Sequence, residues 1–196
     1  MLLTENERKV LRLLASTPGK EDSINQVAKN CSMTPNGVYK LLTKLEKEGI
    51  LKVKPIANIK AYKLNWEEEK TIRVLELAFI PTRLEGRVKM RADDLKLLKT
   101  ATKASLLFGS YITSKSQPTD LDVLFIIERK DYESYKKVLT QVQDITPIRI
   151  QDLVQTREDL VRNIKKGDPV IANALQKGTV LWGTNVLVEA MKDAAR

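Results

Sequence analysis

The segment ASLLFGSYITSKSQPTDLDVLFII, residues 104–127, decides how the second half of this chain folds. Ala104–Phe108 reads as a buried strand, and it runs directly into Gly109-Ser110. After the nine-residue spacer Tyr111–Thr119 comes a second apolar run, Asp120–Ile127, opening on two aspartates separated by one residue. Strand alternation puts Asp120 and Asp122 side by side on one face. Two adjacent carboxylates repel unless a cation lies between them. The chain has no histidine and one cysteine, so a hard divalent ion such as magnesium is the natural counter-charge.

Gly109, lacking a side chain, lets a phosphate approach the backbone. Ser110 is expected to open a short helix whose free N–H groups and hydroxyl hold that phosphate. A phosphate cradle facing a carboxylate-held metal is equipment for phosphoryl or nucleotidyl transfer. The motif resembles that of the nucleotidyltransferase superfamily that includes DNA polymerase beta: an apolar residue, Gly-Ser, a spacer, then Asp-apolar-Asp-apolar. Here it is Phe108-Gly109-Ser110, Tyr111–Thr119 and Asp120-Leu121-Asp122-Val123. The resemblance spans about residues 92–183. The remaining elements agree: a helix over 132–142, a strand over 147–153, helices over 157–165 and 168–176, and a closing strand over 179–182.

The resemblance implies that Asp120 and Asp122 hold magnesium and are catalytic, with a nucleoside triphosphate as substrate or ligand. It also implies a third carboxylate on a later strand. Asp152 is the one acid on Pro147–Leu153 and is the candidate third catalytic and metal residue. Aligning the downstream helix puts the expected position on Gln151 instead. A one-residue slip reverses the face, so Arg149 and Gln151 would then point inward and Asp152 away, unless a bulge intervenes. Gly109 and Ser110 are the nucleotide-binding candidates. Lys115, in the spacer, is a further candidate for a phosphate, with a mobile surface lysine as the plainer reading.

The N-terminal unit reads differently. Thr4-Glu5-Asn6-Glu7 is a capping box ahead of the helical spacing of Val10, Leu11, Leu13 and Leu14. A second helix starts near Ser23. In the third, Thr34 is the N-cap, Pro35 the first helical position and Gly49 the stop. Val38, Leu41, Leu42 and Leu45 face inward; Asn36, Tyr39, Lys40, Thr43, Lys44 and Lys47 lie opposite. Two alternating runs, 50–54 and 60–64, form a hairpin around a turn at Pro55–Asn58, carrying Lys52, Lys54, Lys60 and Lys63. Three helices and a basic hairpin resemble a winged helix-turn-helix. That resemblance implies DNA binding: Asn36, Tyr39, Lys40 and Lys44 on the third helix at the major groove, and Lys52, Lys54 and Lys60 on phosphates.

Charge distribution fits this reading. Residues 1–65 carry 12 Lys/Arg against 6 Asp/Glu, and the rest 22 against 19, within a net charge of +9. An excess focused on one small unit favours a polyanionic partner. The absence of histidine excludes histidine triads, bases and zinc sites, and the lone Cys31 excludes an internal disulfide and reads as packing. No apolar run approaches a membrane span, and MLLTENERKV does not read as a signal peptide, so no membrane partner and a cytoplasmic location are expected.

The expected class is α+β: a winged helix-turn-helix (1–65), a helix and linker (66–91), and a nucleotidyltransferase-like mixed sheet flanked by helices (92–196). The apolar helix after Trp66 packs either on a second copy, making a homodimer on paired DNA half-sites, or on the C-terminal unit. Two functions are consistent with this. One is magnesium-dependent transfer of a nucleoside monophosphate to a hydroxyl of a macromolecular acceptor; the resemblance suggests a HEPN-type protein as one such acceptor. The other is a DNA-binding transcriptional regulator whose second unit only senses nucleotide or is catalytically degenerate.

Overall fold

The computed structural model describes residues 3–56, 59–113 and 118–196. Lys115, the spacer candidate for a phosphate, lies outside the described residues. The architecture is α+β, with two sheets and helices on both sides of the larger one.

Local chemistry sets the N-terminal elements. Helix α1 (Glu5–Ser16) opens on its capping box: Thr4 Oγ1 accepts from the Glu7 amide at 3.3 Å, and the Glu7 carboxylate accepts from Thr4 N at 2.8 Å. Ser23 and Gln26 form a second box for α2 (Ile24–Cys31). Thr34 accepts from Gly37 N at 3.2 Å, with Pro35 first in α3 (Pro35–Lys47). Gly49, at φ +75°, then turns the chain into the hairpin.

The small sheet has the order β1-β3-β2, from β1 (Asp22–Ser23), β2 (Leu51–Ile56) and β3 (Ile59–Leu64), all antiparallel. Strand β1 has two residues, too short to leave a periodic signal. Pro55, expected in the turn, lies within β2. That strand is at the sheet edge, where a residue without an N–H is tolerated.

Two further segments depart from the sequence reading. The stretch expected as linker contains α5 (Gly86–Asp94), with Arg91 and Ala92 buried. Its end runs into a 3-10 turn over Leu95–Thr100 rather than continuing as α-helix. Leu95 and Leu98 are both buried there, as the three-residue repeat of a 3-10 turn requires.

The larger sheet has the order β6-β5-β4-β7: β4 (Ala104–Phe108), β5 (Asp120–Ile126), β6 (Arg149–Gln155) and β7 (Thr179–Trp182). Strand β4 is antiparallel to β5 and β7, whereas β5 and β6 are parallel and joined by α7 (Tyr132–Ile145). Leu107, Leu121, Val123 and Phe125 pack on one face with Tyr135 and Val142 of α7. Leu106, Leu124 and Ile126 occupy the other face, against α8 (Arg157–Lys166), α9 (Pro169–Lys177) and α10 (Thr184–Ala195).

The second core does not stop there. It runs on through α4 (Glu69–Phe79) into Val10, Leu11 and Leu14 of α1 and Val38 and Leu42 of α3. The apolar face of α4, with Ile72, Leu75, Ala78 and Phe79 buried, is therefore filled within the chain by α1 and α10. Of the two packing partners expected for this helix, the C-terminal unit is the one it meets. Two arginines of α1 tie the halves further. Arg12 donates to the carbonyls of Leu175 and Gly178 at the end of α9 and stacks 4.9 Å from the Phe79 ring centroid. Arg8 donates to the Leu77 and Ile80 carbonyls at the end of α4. Both place positive charge at a helix C-terminus, where it is favoured. Burial pushes the Arg12 guanidinium down to about 10, which leaves it charged at neutral pH.

A shared core makes unfolding of the halves one event. Trp66 reports on the first half and Trp182 on the second. The single-tryptophan variants Trp66→Phe and Trp182→Phe should give coincident urea midpoints by fluorescence. Two separated transitions would show that the halves fold independently.

Candidate functional site

Strand pairing brings the acidic pair to the end of β4. Asp122 lies opposite Phe108, and the next residue, Gly109, sits at φ +74°. A Cβ on Gly109 would lie 2.8 Å from the Asp122 Cγ and overlap its carboxylate, so only glycine fits against this acid. Helix α6 (Ser110–Thr113) follows at once, with the Thr113 hydroxyl donating to the Gly109 carbonyl at 3.0 Å. Asp120 accepts from the Thr119 hydroxyl at 3.1 Å. Asp120 and Asp122 are both half-buried on the face that carries Leu124 and Ile126. Burial first, and the neighbouring Asp120 second, push the Asp122 carboxyl above the usual carboxylate range.

The neighbouring strand resolves the question of the third acid. Strands β5 and β6 stay in unbroken parallel register, with Asp120 beside Arg149, Asp122 beside Gln151 and Val123 beside Asp152. No bulge intervenes. Arg149 and Gln151 share the face of the acidic pair, and both are exposed. Asp152 points the other way and accepts from the Tyr135 hydroxyl at 2.8 Å. Burial and that bond push the Tyr135 hydroxyl far above its ordinary value. The expectation that Asp152 joins Asp120 and Asp122 as a metal ligand and catalytic residue is therefore corrected. Strand parity turns it toward α7, where it anchors a core tyrosine.

Two carboxylates remain as the donor set, and among the described residues there is no cluster of three acids or thiols. That set still suits magnesium. The ion keeps much of its coordination shell for water and phosphate oxygens and commonly takes one or two carboxylates from the protein.

The seven candidate DNA contacts divide into two groups. Asn36, Tyr39 and Lys40 stand exposed along α3, and Lys60 is exposed on the hairpin; neither lysine makes an ion pair among the described residues. Lys44 instead binds the buried Glu7 of α1 at 2.7 Å. Although burial opposes it, the Glu7 carboxylate is held below its ordinary value by hydrogen bonds from Lys44 and Thr4. Lys52 pairs with Glu67, and Lys54 with Glu21 at 3.0 Å. The acids that engage these lysines are distant in sequence, which is why the basic pattern alone overstated the free charge. Cys31 is half-buried, and burial pushes its thiol up to about 11, so it is not an activated nucleophile.

A family described as "Family of unknown function (DUF6932)" matches residues 33–183. The chain belongs to this family. No curated protein matches it, and no solved structure does. The DUF6932 match starts one residue before the Thr34 cap of α3 and ends at Gly183, just before α10. It takes in the hairpin, α4, α5 and the whole larger sheet, so one family unit crosses both halves.

The acidic pair has a thermodynamic signature. A carboxyl whose folded value is raised binds its proton more tightly folded than unfolded. Its contribution to stability is thus lost as pH rises from the ordinary carboxylate value through the raised one. In EDTA at pH 7, Asp122→Asn should raise the melting temperature. Millimolar magnesium should raise the wild-type value and leave the variant unmoved. A variant no more stable than wild type in EDTA would show that the pair carries no strain.

Proposed function

We propose that this DUF6932 protein is a magnesium-dependent nucleotidyltransferase with a DNA-binding N-terminal unit. The observation that carries the reading is the packing of Gly109 against the Asp122 carboxylate, with Asp120 beside it. A backbone free of Cβ at this point lets the Asp122 carboxylate lie directly against the turn that opens α6, where a metal held by the pair would meet polyphosphate oxygens.

Asp120 and Asp122 would hold the magnesium, which when bound supplies positive charge to the polyphosphate and acidifies an acceptor hydroxyl. The Ser110 hydroxyl and the backbone N–H groups after Gly109 donate to phosphate oxygens. Arg149, one strand over on the same face, adds a cation within the field of the site. In the reaction the acceptor oxygen bonds to the α-phosphorus and the bond to the pyrophosphate oxygen breaks. The nucleoside monophosphate stays on the acceptor, pyrophosphate leaves, and the hydroxyl proton passes to solvent. The acceptor is a macromolecule that brings its own hydroxyl to the open face, a HEPN-type protein being one form consistent with it.

Transfer of label from an α-labelled nucleoside triphosphate should require magnesium. It should fall at least about a hundredfold in Asp120→Asn and Asp122→Asn. Asp152→Asn should transfer at the wild-type rate, because its carboxylate lies on the other face. Loss of transfer in Asp152→Asn with its fold intact, or transfer that survives in Asp122→Asn, would overturn the assignment.

A second reading has its own observation. Gln151 occupies the strand position beside Asp122 where an acid would complete the site. This favours a regulator that binds nucleotide with little turnover. Gln151→Asp separates the two: it should accelerate transfer if the wild type is a working enzyme short of one ligand, and leave it at zero if the site is only a sensor.

The N-terminal unit supports the winged helix-turn-helix reading through its helix order, its β1-β3-β2 sheet and the exposed face of α3. DNA contact then rests on Asn36, Tyr39, Lys40, Lys47 and Lys60. Replacing Lys40 and Lys47 with Ala should lower duplex affinity and reduce the slope of log K against log salt by roughly 1 for each phosphate no longer neutralised. Lys52→Ala should have a smaller effect, since Glu67 already engages that lysine. Fluorescence anisotropy across a salt series measures both.

A further inference from the structure

A cavity of about 580 Å³ opens between α1, the end of α4 and the turn from α9 into β7. That volume suits a small-molecule ligand. Its wall is of nearly one sign: Arg8, Lys9, Arg12, Arg83 and Lys177 line it, with Glu5 the one carboxylate among the described residues. The arginines differ in what they have left to give. Arg12 through Nε and Nη2 and Arg8 through Nη1 donate to helix-end carbonyls, and Arg83 is paired with Glu85 at 3.0 Å. Lys9 and Lys177 are exposed and make no ion pair among the described residues, and the Arg8 Nε is buried there with no hydrogen-bond partner. Two lysines thus line one cavity of positive wall without an ion-pair partner among those residues.

The position matters as much as the charge. Thr113, the last residue of α6, lies on the cavity wall, and Thr179, paired in register with Leu107 of β4, lies there too. The cavity therefore adjoins the Gly109–Ser110 end of the sheet, while α1 belongs to the N-terminal half.

We propose that this cavity is a phosphate site shared by the two halves, in which Lys9 of α1 and Lys177 of α9 bind phosphate groups beside the Gly109–Asp122 site. The inference deepens the transferase reading and rests on it for the neighbouring acidic pair. The phosphates come either from the polyphosphate of the nucleotide or from a nucleic-acid backbone; the chemistry that recognises them is the same. Through α1, occupancy would also touch the DNA-binding face, because Glu7 of the same helix holds Lys44 of α3.

The test uses the full chain in EDTA, where the acidic pair has no metal and repels phosphate. Calorimetric titration with inorganic tripolyphosphate should show one saturable site. Lys9→Ala combined with Lys177→Ala should weaken it roughly tenfold or more at low salt. Both lysines are exposed, so the melting temperature should not change. Asp120→Asn with Asp122→Asn, and Lys40→Ala with Lys47→Ala, should leave the affinity unchanged or, for the acids, stronger. Absence of saturable binding, equal affinity in the Lys9/Lys177 variant, or loss in the Lys40/Lys47 variant would each overturn the proposal. Competition by ATP but not by a phosphorylated trinucleotide would identify the nucleotide as the source, and competition by the trinucleotide a nucleic-acid backbone. A parallel titration of magnesium with ATP reads the acidic pair separately, so failure there with tripolyphosphate binding intact would sink the transferase reading alone.

Discussion

The burial of helix α1 between two sets of partners is the constraint on which the rest of the structure depends. Val10, Leu11 and Leu14 are buried in the core that also holds α2 and α3, and the same helix packs on α4, α9 and α10. A surface helix has one apolar stripe and one wet face. Helix α1 has little wet face beyond its first turn, and its arginines reach across to the carbonyl ends of two helices from the other half. Burying a guanidinium is costly unless its donors are satisfied. The carbonyls of Leu175 and Gly178 meet that condition for Arg12 in one geometry, which fixes how the halves sit.

That arrangement determines which face of the larger sheet is left open at its end. The α7 side is closed by Tyr135, Val142 and Leu95, and the Asp152 carboxylate is drawn into it by the Tyr135 hydroxyl. The opposite face is filled by helices only as far as Leu124 and Ile126. At the foot of β5 the apolar residues give way to Asp122 and Asp120, beyond the reach of the core. The acidic pair sits where the shared core ends, half-buried, near a cavity to which α1 contributes its cations.

Much of this was legible in the chain itself, for physical reasons that differ by element. Caps are local chemistry, so Thr4 with Glu7 and Thr34 with Pro35 could be read directly. The Gly109 turn and the parity of Asp120 and Asp122 follow from a period of two. Elements set by tertiary contacts were hidden. Strand β1 exists because Asp22 and Ser23 meet Tyr62 and Ala61. Helix α5 carries mostly charge and shows weak periodicity. The engagement of Lys44 by Glu7 joins residues 37 positions apart, which no spacing rule reveals. Nor could it be foreseen that Lys9 and Lys177 line one cavity, since that depends on how α1 docks.

Asp152 shows where sequence reasoning is sharp and where it needs a structure. Parity alone offered two outcomes, and the choice turned on whether β6 contains a bulge. An unbroken register over seven paired residues, Arg149 to Gln155, decides it. The consequence is electrostatic. With Gln151 and Arg149 beside the aspartates instead of a third acid, the face carries less negative charge than a three-carboxylate site would. It repels a polyphosphate less before any metal arrives, and it gives up the extra ligand that would tighten a second ion. On the function proposed above, that balance favours holding a nucleotide over turning it over quickly. In that proposal a macromolecular acceptor that lends its own polar groups to the open face would compensate for the absent third carboxylate, and Arg149 and Gln151 are exposed there to meet it.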